Sequence, residues 1–184
     1  MRHWVAFLRA INVGGHTVKN TQLKSLFETL GYTQVETFIA SGNVLFNART
    51  RKRDTLEATI ESHLKKALGY EVTTFLRTLD EIADLIVCQP FAGSIFSMGE
   101  SLYIGMLKAP MTEEIFRSLL TVKPESDEFA RVGSNFAWLC RTGQGKSTFS
   151  NAVFEKTTRM KASFRNITTI RNISAKYSDA NGLG

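Results

Sequence analysis

The sequence predicts an α+β protein made of two ferredoxin-like-related subdomains with antiparallel sheets, the second atypical at its C-terminal end. Three observations predict it. Residues 1–77 read in the order β-α-β-β-α-β. Residues from 101 onward repeat most of that order. The stretch "CQPFAGSIFSMG" between them reads as a linker, dividing the chain into 1–88 and 89–184.

Element by element, "HWVAFLRA" is an apolar, β-prone run, ended by "INVGGHTV", whose Gly14-Gly15 pair marks a turn. From Asn20, read as an N-cap, Leu23, Leu26, Phe27 and Leu30 recur at helical spacing until Gly31. "TQVETFIA" alternates as a strand, "SGN" turns the chain, and "VLFNA" returns it as a hairpin. After the basic run Arg49, Arg51, Lys52 and Arg53, the residues Leu56, Ile60, Leu64 and Leu68 stripe a second helix that Gly69 ends. "YEVTTFLRT" is the fourth strand. Thr78 and Glu81 form a capping box for a helix through Ile82, Leu85 and Ile86.

In the second half "SLYIGMLKA" is a strand, and a helix runs from Thr112 through Ile115, Phe116, Leu119 and Leu120. "DEFARV" and "NFAWLCRT" pair about Gly133-Ser134, and a helix follows through Phe149, Ala152 and Val153. The last strand of the repeat is not recognisable. A helix opening near Ser163 and carrying Ile167, Ile170 and Ile173 is expected in its place.

The 184 residues suffice for one ordinary domain or two small ones. No apolar run is long enough to span a bilayer, and the N-terminus lacks a small-residue cleavage site, so a soluble, cytoplasmic protein is expected. Cys88 and Cys140 each stand alone in apolar context and read as reduced core thiols. Of the 23 Lys+Arg and 17 Asp+Glu, residues 145–184 hold 7 and 2, leaving 16 and 15 for residues 1–144. Such clustered positive charge concentrates anions nearby, although a solvated basic face is the plainer account.

"RTGQGKST" invites comparison with a phosphate-cradling P-loop, which needs G-x-x-x-x-G-K-[ST]. Five residues before Gly145 stands Cys140, and too little chain follows to supply the rest of such a domain. "GKSTFSN" instead offers flexible backbone, the cation of Lys146 and the Ser147 hydroxyl at a helix start, where anions bind. "SFRN" places Arg165 and Asn166 in the first turn of the last helix, suited to positioning a phosphate or carboxylate. "RAINVGGHTVKN" joins a strand to a helix, and Gly14 and Gly15 let backbone approach a ligand beside Arg9, Asn12 and Lys19.

Other chemistry lacks a pattern. His3, His16 and His63 have no metal-ligand spacing, and no cofactor fingerprint is present. Ser41 in "IASGNV" lacks the G-x-S-x-G frame of a nucleophile elbow. The β-α-β-β-α-β order is also that of RNA-recognition domains, but "SGNVLF" lacks their signature, and Phe7 and Phe46 read as core.

Taken in order and spacing, "FLRAINVGG" (7–15), "IASGNVLF" (39–46), "QPF" (89–91), "GQGKSTFSNAVFEK" (143–156) and "SFRNITTI" (163–170) resemble the bacterial family known as domain of unknown function 1697. The resemblance implies an α+β protein with ferredoxin-like subdomains and carries no activity with it. It also implies that Arg9, Asn12, Gly14, Gly15, Ser41, Gly42, Asn43, Lys146, Ser147, Asn151, Lys156, Arg165 and Asn166 matter. The chain departs from the family pattern at Ala10 (usually Gly), Gln89 (usually Asn), Thr148 (often Lys) and Ile167 (usually Trp).

The leading expectation is a metal-free binding protein for a phosphate-bearing ligand, nucleic acid included, with "RAINVGG", "SGN", "GKS" and "FRN" lining a cleft between the halves. Two alternatives stand beside it: an enzyme acting on a small anionic metabolite, and a protein-interaction module. For the enzyme, Lys146 or Arg165 would stabilise developing charge and Asn12 or Asn43 would orient the substrate.

Overall fold

The computed structural model describes residues 2–38, 42–50, 52–88, 90–91, 100–143 and 145–181. It divides into two compact units, Met1–Ile82 and Ala83–Gly184. Gln89 and most of the expected linker lie outside the described residues.

The first unit runs β1 (Arg2–Arg9), α1 (Asn20–Thr29), β2 (Thr33–Phe38), β3 (Asn43–Ala48), α2 (Arg53–Leu68) and β4 (Thr73–Thr78), then enters α3 (Leu79–Val87). Its antiparallel strands lie in the order β2-β3-β1-β4, which the β-α-β-β-α-β connection requires. Trp4, Ala6 and Leu8 alternate along β1 and pack with Val44 and Phe46 of β3, Leu23 and Phe27 of α1, and Leu56, Ile60 and Leu64 of α2. Each fully buried large side chain in this set contributes about 1.5–3 kcal/mol. Val5, Phe7 and Phe75, on the other face, are buried as well. With Phe7 and Phe46 both core, neither ring is presented to solvent as a base-stacking platform.

Local signals place the helix ends. Gly69 ends α2 in the left-handed conformation, φ 84°, donating its N–H to Lys65 O. The capping box is present: Thr78 N–H donates to Glu81 Oε2 at 2.8 Å and Glu81 N–H to Thr78 Oγ1 at 3.3 Å. Asn20 is not the expected N-cap. It is the first helical residue, and Lys19 precedes it without a side-chain cap.

β4 is an edge strand, and its outward N–H groups are taken by side chains. Thr74, Leu76 and Thr78 donate at 2.8 Å to Glu61 Oε1, Glu57 Oε1 and Glu81 Oε2. Glu57 and Glu61 stand one turn apart on α2. Four helical residues rise about 6 Å and two strand residues about 6.8 Å, so an i, i+4 glutamate pair matches alternate strand amides. Arg77 Nη1 donates to Leu76 O at 2.7 Å, so the backbone of Leu76 is bonded at both ends by side chains. An edge filled this way resists pairing with a foreign strand.

The second unit contains β5 (Ser101–Met106), α4 (Glu113–Leu120), β6 (Glu128–Val132), β7 (Asn135–Cys140), α5 (Asn151–Thr158), β8 (Ser163–Asn166) and α6 (Ile167–Asn181). Its strand order, β6-β7-β5-β8, repeats the first. The last strand is therefore present, as β8, and α6 opens at Ile167 rather than near Ser163. β8 docks through one aromatic. Phe164 lies opposite Gly105, where a Cβ would stand 3.0 Å from its ring, and it packs on Phe136, Trp138 and Phe154. The C-terminal end remains unusual, a four-residue strand passing directly into a fifteen-residue helix.

Cys140 is buried, whereas Cys88 is exposed, against the expectation of two core thiols. Burial first, then the charge of Asp127, raises the pKa of the Cys140 thiol.

Candidate functional site

In the first unit the sequence-selected residues gather on the loop after β1 and the turn before β3. Arg9 closes β1 opposite Thr73. Ile11 is buried and anchors the loop, and Tyr70 Oη donates to its carbonyl at 2.7 Å while the Tyr70 ring stacks on His16 at 4.3 Å. Asn12 Oδ1 accepts the Val18 N–H at 2.9 Å, closing the loop on itself. At its tip His16 N–H donates to Val13 O at 3.1 Å, and Gly14 and Gly15 between them have φ of 62° and 83°. Two consecutive positive φ values are what this turn type demands, which explains the glycine pair. Both glycines are exposed.

Gly42 fastens the second segment to the first. Its carbonyl accepts the Leu8 N–H at 2.8 Å, and a Cβ there would lie 2.7 Å from Ile11 Cγ2. Asn43 is fully buried and donates Nδ2–H to Phe38 O at 3.1 Å. Ser41 lies outside the described residues.

In the second unit Lys146 and Ser147 do not open α5. They form a turn in which both N–H groups donate to Gly143 O, at 3.0 and 3.2 Å, while Ser150 caps α5 by accepting the Val153 N–H. Lys146 is exposed. Ser147 Oγ donates to Asp127 Oδ2 at 2.8 Å and accepts the Phe149 N–H at 3.1 Å. Asp127, 1% exposed, also accepts from Trp138 Nε1 at 2.8 Å, from the Arg141 N–H at 3.2 Å and from Ser126 Oγ at 3.3 Å. One buried carboxylate thus ties the turn to the aromatic core. Arg141, beside it, pairs with Glu100 through Nη1 and with Glu128 through Nη2.

Arg165 and Asn166 are likewise not in the first turn of α6. Arg165 lies in β8 and donates Nη1–H to Ser163 Oγ at 3.0 Å and Phe164 O at 2.8 Å, and burial pushes its pKa down to about 10. Asn166 caps α6, its Oδ1 accepting the Thr168 N–H at 2.8 Å. The halves share these devices. Arg77 in β4, like Arg165 in β8, donates to the carbonyl of the preceding residue and is held near a pKa of 10, first by burial. Asn135 opens β7 as Asn43 opens β3, each donating to a carbonyl of the preceding hairpin strand. Glu155 of α5 accepts the Ala162 N–H, as the α2 glutamates accept from β4.

Asp127, Glu57 and Tyr70 escape the sequence reading. The one visible signal for Asp127 and Glu57 is the need of Trp138 Nε1 and of edge-strand amides for acceptors, and for Tyr70 the need of the Ile11 carbonyl for a donor; nothing local names which residue supplies them.

Ion pairs are partial along the chain, and Lys19, Arg49, Lys52, Lys66 and Lys123 form none among the described residues. Arg53 pairs with Glu81, Lys65 with Glu71, Lys24 with Glu28, and Arg117 and Arg131 with Glu113. In residues 145–184, Lys146, Lys156, Arg159 and Arg171 form no ion pair among the described residues. Among those residues no group of three or more His, Cys, Asp or Glu could hold a metal, and no helix is long and apolar enough to cross a membrane.

No curated protein matches the chain by sequence. A solved structure of a conserved bacterial protein from Streptococcus pneumoniae is similar to it in fold, with a TM-score of 0.73 over 97% of this chain and 99% of that one, at 17% identity. Residues 1–136 match the family described as "Protein of unknown function (DUF1697)"; the "GKS" and "FRN" segments lie beyond the matched residues. With three quarters of its length matched, β1 into β7, the chain belongs to the DUF1697 family.

Proposed function

We propose that this protein binds a phosphate-bearing ligand, with nucleic acid as the form that its basic C-terminal segment favours. The observation that carries the reading is the contrast in charge balance: residues 1–144 hold 16 Lys+Arg against 15 Asp+Glu, whereas residues 145–184 hold 7 against 2. A local excess of cations attracts polyanions, whose condensed counterions are released on binding. Lys146, exposed on a turn fixed from both sides, is the cation best placed to meet a phosphate. The exposed Gly14-Gly15 tip offers close backbone approach, while Arg9, Asn12, Asn43, Ser147, Arg165 and Asn166 frame the loops that carry the contacts.

Fluorescence anisotropy with short single- and double-stranded DNA and RNA, at several salt concentrations, tests the reading. Binding is expected to weaken steeply with salt. Lys146→Ala, Arg159→Ala and Arg171→Ala should each lower the salt slope by about one. Arg165 is a poor probe because its guanidinium is bonded inside β8, so its loss perturbs the fold. No binding at low salt, with no stabilisation by phosphate compounds in a thermal-shift screen, overturns the proposal.

A further inference from the structure

We infer that Asp127 is a positioning residue that, through Ser147, holds the Lys146 turn in the conformation that receives phosphate; the inference rests on the phosphate-binding reading above. Asp127 contributes nothing to a cation site directly, since it is 1% exposed and spends its oxygens on Trp138 Nε1, Ser147 Oγ, the Arg141 N–H and Ser126 Oγ. Two of those four donors, the Arg141 N–H and Ser147 Oγ, bracket the turn. Arg141 enters it, and Ser147 leaves it for Phe149, which is itself buried against Trp138 at 5.0 Å. The Gly143 carbonyl, accepting from both Lys146 and Ser147, closes the middle.

A lysine on such a turn meets its ligand with its backbone already fixed, so less freedom is lost when it binds. The Asp127–Ser147 bond is the link most exposed to test. Ser147→Ala removes the hydroxyl that joins the turn to the carboxylate and leaves Asp127 with its other three donors. The change also takes the acceptor from the Phe149 N–H, a bond that Ser147→Thr keeps. Asp127→Asn sets an amide N–H against donors and disturbs the indole as well.

The test measures affinity for inorganic tripolyphosphate by titration calorimetry. Wild type, Ser147→Ala, Ser147→Thr, Lys146→Ala and the Ser147→Ala/Lys146→Ala double variant are compared, with circular dichroism to confirm folding. Ser147→Ala is expected to bind about tenfold more weakly, a loss of the order that misplacing one charged contact causes. Ser147→Thr should recover most of that loss. In the Lys146→Ala background the Ser147→Ala change should cost nothing further, because the two act as one unit. If wild type does not bind tripolyphosphate, this inference falls, and the phosphate reading falls with it only where nucleic acid fails to bind as well. If wild type binds, Lys146→Ala weakens binding and folded Ser147→Ala does not, the phosphate reading stands and the positioning role is overturned. Additive losses in the double variant overturn it equally.

Discussion

Glu57 Oε1 accepts the backbone N–H of Leu76 at 2.8 Å, a contact between a helix side chain and an edge-strand amide with both residues out of solvent. Glu57 also adds a favourable charge near the buried Arg77 guanidinium. Glu57→Ala leaves an amide unsatisfied and a cation less compensated, and is expected to destabilise the protein by about 3 kcal/mol. Glu57→Gln keeps an acceptor and should cost less. Urea titration checks both, and equal effects from the two variants would show that acceptor loss is not the cause.

Gly42 stands at φ 70° with Ile11 Cγ2 2.7 Å and Leu8 Cβ 3.2 Å from where a Cβ would be. Gly42→Ala combines left-handed strain with a clash against two buried side chains. A loss of about 2–4 kcal/mol is expected, read as a fall in thermal midpoint. A midpoint unchanged within error would mean that the turn yields without cost.

Ala10 has φ 65°, a conformation that costs an L-residue roughly 1–2 kcal/mol. Glycine there removes the strain and returns about 0.4–1 kcal/mol of unfolded-state entropy. Ala10→Gly, the residue usual in the family pattern, should therefore stabilise by a few tenths to about 1 kcal/mol. Chemical denaturation decides it, and a destabilised variant contradicts the strain argument.

Glu81 should set part of the acid sensitivity. Burial alone would raise its pKa, but the Thr78 N–H, the Arg53 guanidinium at 2.5 and 2.6 Å, and the Arg77 charge together lower it. A carboxylate with a lowered folded-state pKa stabilises fully above its unfolded value, and that stability is lost as pH falls through the folded one. Stability of wild type should fall from roughly pH 5 downward, and Glu81→Gln should flatten that part of the curve. Parallel curves would refute the assignment.

Legibility in the sequence followed the range of the interaction. The strand-helix order of the first half and of the second as far as α5, the Gly69 stop, the Thr78–Glu81 box and the Gly133 hairpin all depend on residues within about four positions of one another. β8 was hidden because "SFRN" has one apolar residue in four, and its pairing comes from Gly105, whose missing Cβ admits the Phe164 ring. The candidate site was legible only as residue types. Asn12, Asn43, Ser147 and Asn166 look like ligand groups in a string of letters, yet each hydrogen-bonds backbone or a buried carboxylate in the folded chain.

The sequence by itself determined the α+β class, the β-α-β-β-α-β frame of the first half and most of its repeat, the family and the basic C-terminal segment, since periodicity, composition and motif order are properties of the string. The tertiary structure alone decided that Glu57 and Glu61 close the β4 edge, that Arg77 is buried and Arg165 half-buried, and that Asp127 is bonded to Ser147 in the Lys146 turn. These contacts join residues such as Leu76 with Glu57 and Ser147 with Asp127, nineteen and twenty positions apart. Which acceptor a buried donor finds is set by which elements the core brings together, and no local pattern encodes that choice.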